Sequence, residues 1–136
     1  MEYLVGALLA VGVGVFATLA RFDRERGFYP VVLIVIASYY ALFAVMGGSL
    51  KAVIEEAPIL GLFGAVAVLG FKQNLWLVVA ALAAHGLYDL IHPHLIINPG
   101  APAWWPMFCL AYDLAAAGYL AALLLRPRGG LVGHAK

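Results

Sequence analysis

Residues 75–94 read LWLVVAALAAHGLYDLIHPH. An apolar run leads into ten residues that hold three of the chain's four histidines and an aspartate. Whether this segment crosses a bilayer decides the fold: with it the chain has five spans, without it four. Working outward, apolar runs cover 3–20, 30–46, 52–71, 75–91 and 105–125. Each is close to the ~20 residues that span a membrane, the second and fourth being short. Polar breaks separate them: RFDRERGFY, GGSLK, KQN and HPHLIINPGAPA. Pro30 and Pro106 suit the first turn of a helix, where a missing N–H costs nothing. Pro58 falls near the start of the third helix or kinks it.

Composition agrees. The 136 residues are 65% hydrophobic and 11% charged, with a mean hydropathy of +1.00. A soluble domain carries about 25% charged residues. The expectation is an all-α integral membrane bundle of about five transmembrane helices, a single domain over 1–136. Net charge is +1 with no basic stripe, so nucleic acid is not an expected partner. One cysteine, Cys109, excludes an intrachain disulfide.

Charge orients the bundle. With five spans, Arg21, Arg24, Arg26, Lys72, Arg126, Arg128 and Lys136 share one side, and Lys51 alone takes the other. Basic residues favour the cytoplasmic side, so the N-terminus is expected outside and the C-terminus in the cytoplasm of a multi-pass cell-membrane protein. The opening MEYLVGALLAVGVGVFATLARF has Glu2 where a signal peptide carries basic residues, and reads as a retained first helix. RPRGGLVGHAK reads as a short flexible tail, and His134 as part of it.

The remaining ionisable residues gather at one depth. Glu55 and Glu56 fall at the outer end of helix three, His85, Asp89 and His92 in the outer half of helix four, His94 in the following loop. Asp113 falls two turns into helix five, and Tyr39 and Tyr40 in the outer half of helix two. His85, Asp89 and His92 stand at i, i+4 and i+7, on one helix face. Cys109 and Asp113 are also i and i+4. Each charge at membrane depth costs about 2.5–3.5 kcal/mol and normally faces the bundle interior with a partner. No buried Lys or Arg is expected to neutralise these acids. A divalent cation, zinc, iron or manganese, would balance them, with neutral imidazoles as co-ligands. His85, Asp89, His92 and Asp113 are the expected metal ligands, with Glu55 or Glu56 as a ligand or general base.

Plainer roles stand beside this one. Glu55 and Glu56 also fit a water interface, His94 a solvated loop, His85 a hydrogen-bonded core position, and Cys109 a small buried hydrophobe. Trp104 and Trp105 fit an interfacial belt or a pocket wall. The uncharged loop with Pro99 and Pro102 fits either a surface connector or a lid, with Asn98-Pro99-Gly100 as a turn. Gly12, Gly14, Gly61, Gly64 and Gly70 are expected to let helices approach closely.

The pattern His85-x3-Asp89-x2-His92, Asn98-Pro99 and Cys109-x3-Asp113, with a glutamate in an earlier helix matching Glu55 or Glu56, resembles a family of small, uncharacterised bacterial multi-helix membrane proteins. It covers about a quarter of the chain and differs in the loop PHLIINPGAPAWWP. The resemblance brings no activity; it groups the same residues into one set.

Three functions follow. The first is a membrane-embedded metal-binding protein, as an enzyme on a lipophilic small molecule from the outer leaflet: hydrolysis with zinc, oxidation with iron. The second is a small transporter or a proton or metal pathway, for which helices four and five lack polar residues on their cytoplasmic side. The third is an accessory subunit binding haem through His85 and a second histidine. Triad, phosphate-loop and H-E-x-x-H motifs are absent. Five short helices make a thin bundle within the lipid bilayer, which leaves room for a homo-oligomer.

Overall fold

A computed structural model describes residues 1–127; Arg128, His134 and Lys136 of the tail lie outside the described residues. The described residues form five α-helices and no strand: α1 (Glu2–Ala20), α2 (Phe28–Met46), α3 (Leu50–Lys72), α4 (Trp76–Leu95) and α5 (Trp105–Leu125). A 3-10 turn, Phe22–Arg24, joins α1 to α2.

Local chemistry sets the boundaries. Arg21 closes α1 in the left-handed conformation (φ 65°), its N–H reaching the Ala17 and Thr18 carbonyls. Ser49 caps α3 by accepting the Ala52 N–H at 3.2 Å. Pro106 sits in the first turn of α5 and Pro30 in that of α2. Pro58 lies within α3, which continues through it. α4 also runs through its proline. Pro93 offers no N–H to the Asp89 carbonyl, and the helix ends within a turn, at Leu95. His94 is therefore on the last turn of α4 rather than in the loop, and it is exposed.

Four helices, α1, α2, α3 and α5, are long and apolar enough to cross a membrane. α4 falls outside that set because its hydropathy averages two unlike faces. One face presents Leu87, Leu90 and Ile91 outward; the other buries His85, Asp89 and His92.

α5 lies between α1 and α4; α4 continues to α3, and α3 to α2. α1 does not lie along α2. The surface is apolar, with Leu8, Phe16, Leu19, Leu50, Ile54 and Leu62 outward, while six polar residues are buried: Asp23, Glu56, His85, Asp89, His92 and Asp113. This inversion suits a hydrocarbon solvent, which rewards no burial of leucine but penalises an exposed carboxylate.

Close packing brings the two acid-bearing helices together at Gly86. A Cβ there would stand 3.1 Å from the Asp113 Cβ and 3.3 Å from the Leu110 carbonyl. Gly14 faces the Tyr119 ring and Gly70 faces Val78, as close-approach positions should. Gly12, Gly61 and Gly64 face open space instead, so they do not close this bundle. Their helix faces point outward, which spacing alone does not reveal.

Candidate metal centre

The centre begins with the heptad-like face of α4. Its spacing aims His85, Asp89 and His92 into the bundle, all three buried. α5 meets this face with Cys109 and Asp113, α2 with Tyr40 and α3 with Glu56. The residues fall into two groups.

The deeper group is His85, Asp89, Cys109 and Asp113. One potential ligand atom from each lies within 4.8 Å of the others. His85 Nδ1 is 2.6 Å from Asp113 Oδ2 and 3.6 Å from Asp89 Oδ2. The Cys109 thiol donates to Asp113 Oδ2 at 3.7 Å. The Tyr40 hydroxyl donates to Asp89 Oδ1 at 2.8 Å. Phe63 meets the His85 ring edge-on, centroids 4.8 Å apart, and walls the group with carbon.

Two oxygens in this group are left over. Asp89 Oδ2 and Asp113 Oδ1 are buried without a hydrogen-bond partner. Both aspartates are 0% exposed. Among the described residues, His85 is the one cationic group within ion-pair distance of either. A protonated imidazole offsets one carboxylate, not two.

The outer group is built on Glu56. His92 Nε2 and Glu56 Oε1 are 2.6 Å apart. The Asn98 amide donates to Glu56 Oε1 at 3.1 Å and to the Tyr40 carbonyl at 2.8 Å. Tyr40 stacks on His92, centroids 3.6 Å apart and planes 15° off parallel. The same tyrosine thus links both groups, by its ring to His92 and by its hydroxyl to Asp89.

The loop after α4 folds onto the bundle. Ile96 is buried, Asn98 turns back over Glu56, and its Oδ1 accepts the Gly100 N–H at 3.3 Å. Gly100 lies against the Phe43 carbonyl and the Gly47 backbone, where any Cβ would collide. Of the alternatives raised by sequence, the cover describes this loop better than the free connector.

The structure thus brings His85, Asp89 and Asp113 together, places His92 one step outward with Glu56, and adds Cys109 beside Asp113. Glu55 is apart from both groups, half-exposed and 3.6 Å from Lys51. Trp104 is exposed while Trp105 is buried against Tyr39 and Phe43. Sequence reading gave Cys109 a packing role, although its i, i+4 spacing to Asp113 carried the signal. Asn98 read only as a turn residue, and nothing local marks its amide as a partner for Glu56.

Sequence reading also passed over a polar cluster at the Arg-rich end. Thr18 bonds Asp23 at 2.5 Å and Tyr119 at 2.8 Å, with Asp23 buried. The hydroxyl of Tyr29 is buried without a partner. Comparison with family models, with curated proteins and with solved structures finds no match.

Proposed function

We propose that this chain is a membrane-embedded metal-binding protein that holds one divalent cation between α4 and α5. His85, Asp89, Cys109 and Asp113 are its ligands. One observation carries the reading: two wholly buried aspartates, each with an unpartnered oxygen, face one imidazole and one thiol. A divalent ion offsets both carboxylates and leaves the imidazole neutral, as a ligand must be; with Cys109 bound as thiolate the centre carries one net negative charge. The donor set of nitrogen, sulfur and oxygen suits zinc, with iron and manganese favoured as carboxylates dominate. Bond lengths of about 2.0–2.3 Å place tetrahedral ligands about 3.3–3.7 Å apart, so the widest pairs close by roughly an ångström on binding. Bound zinc would supply an activated water for hydrolysis, and iron an oxidation centre, acting on a lipophilic substrate. Glu56 and His92 hold the outer wall.

The proposal includes five spans, with α4 crossing as the polar-cored helix, the N-terminus outside and the C-terminus cytoplasmic. Arg21, Arg24, Arg26, Lys72 and Arg126 at the ends of α1, α3 and α5 support that orientation. The metal centre then lies in the outer half of the membrane.

Elemental analysis of untagged protein in mild detergent tests the reading, beside an H85A/D89A double variant. Near-stoichiometric zinc, iron or manganese that vanishes in the variant is the expected result. Background metal in both, after growth with all three ions supplied, overturns it.

A second reading rests on the run from the Tyr40 hydroxyl through Asp89 and His85 to Asp113, with His92 and Glu56 beside it but joined to Tyr40 by ring stacking. Such a chain is the form of a proton relay. Proton flux into proteoliposomes, read with an enclosed pH dye and abolished in Y40F, would favour it over a fixed metal.

A further inference from the structure

The two aspartates of the deep group are not equivalent. Asp113 places Oδ2 among the other donors, 2.6 Å from His85 Nδ1 and 3.7 Å from the Cys109 thiol. Its Oδ1 is buried without a partner among the described residues, so Asp113 can offer one oxygen or two. Asp89 is restricted. Its Oδ1 accepts the Tyr40 hydroxyl at 2.8 Å, and its bare oxygen is Oδ2, 3.6 Å from His85 Nδ1.

Tyr40 is held from several sides, and 2% of it is exposed. Its ring lies flat on His92, which Glu56 meets at 2.6 Å. Phe43 and Tyr88 stand edge-on to the same ring, centroids 6.5 and 6.4 Å away. Its carbonyl accepts the Asn98 amide at 2.8 Å. Ring and backbone are thus fixed from α3, α4 and the covering loop, and the hydroxyl is fixed with them.

A carboxylate that grips an ion with both oxygens must present the two together. For Asp89 that means turning Oδ1 off the Tyr40 O–H and leaving a buried donor unpaired, which is unfavourable. His85 Nδ1, Cys109 Sγ, Asp89 Oδ2 and one or two oxygens of Asp113 then supply four or five donors. A sixth from these residues requires Asp89 Oδ1. Zinc is at home with four or five donors, whereas manganese favours six, rich in oxygen.

We propose that the Tyr40 hydroxyl is a positioning group that confines Asp89 to ligation through Oδ2 alone, and so selects zinc over manganese. This rests on the metal centre proposed above and adds to it the group that chooses the ion.

The test uses the full chain, wild type and Y40F, purified untagged from cells supplied with zinc and manganese together. Y40F keeps the ring that stacks on His92 and loses the hydroxyl. Its ratio of bound zinc to manganese should fall at least about ten-fold. The cobalt-loaded wild type should show the intense visible bands of low-coordinate cobalt, and these should weaken in Y40F as the second Asp89 oxygen binds. Altered packing at an unchanged donor set would not weaken them. Zinc X-ray absorption of the wild type needs no variant: four or five donors are expected, and six overturn the inference. An unchanged metal ratio with unchanged cobalt bands in Y40F overturns it too and leaves the centre standing. So does a Y40F protein without metal, since the hydroxyl would then hold the site together rather than choose its ion. A wild type as free of metal as H85A/D89A overturns the centre itself, and the role of Tyr40 with it.

Discussion

The two acid–histidine pairs of this bundle share chemistry and differ in completeness. His92 and Glu56 meet at 2.6 Å, as do His85 and Asp113. Around Glu56, Asn98 supplies a further donor and the Tyr40 ring covers the imidazole. Around Asp113, a second aspartate approaches the same imidazole, and two oxygens stay bare. Both bonds to Glu56 fall on Oε1, and among the described residues that carboxylate has no buried oxygen without a partner. The inner group carries one acid more than its histidine can offset, and the proposed cation rests on that excess. Residue type does not separate the two groups; the buried, unpartnered carboxylate oxygens do.

The largest expected effect breaks the inner group. D113N keeps the shape and removes the charge, so metal content should fall at least about ten-fold while the fold survives. Elemental analysis beside a melting curve in detergent checks both halves; full metal occupancy in D113N would take Asp113 out of the ligand set. C109S sharpens the same point. The cobalt-loaded protein should show near-ultraviolet thiolate-to-metal absorption that C109S lacks, and a band retained in C109S would leave the thiol as packing only.

The outer pair should respond in the opposite way. H92L strands a buried carboxylate, which costs about 3–5 kcal/mol, yet metal should remain. Denaturation and elemental analysis on one preparation compare the two, and loss of metal without loss of stability would move His92 into the centre. N98A removes one donor from Glu56 and should cost about 1–2 kcal/mol while making metal exchange with a chelator faster. E55Q should do least. Its partner Lys51 is solvent-exposed, and an exposed i, i+4 pair contributes about 0.3–0.5 kcal/mol. A large effect of E55Q on metal content would return Glu55 to the centre.

Much of this was legible in the chain itself. Apolar runs mark the helices because a membrane span must satisfy its backbone internally, and length and hydropathy register that need directly. The i, i+4, i+7 spacing of His85, Asp89 and His92 put them on one face, since helical period alone fixes that relation. The excess of acid over base at one depth was visible from counting residues. Tertiary structure decided the partners. His92 pairs with Glu56 from α3 while His85 pairs with Asp113 from α5, because α4 lies in the angle between those two helices. Cys109 joins the deep group, Asn98 folds back onto Glu56, and Gly61 and Gly64 turn outward, by the rotation of each helix about its own axis. Sequence period gives the angle between two residues of one helix. The angle between helices, and so which side chains meet, depends on how whole surfaces fit together, and only the packed bundle contains it.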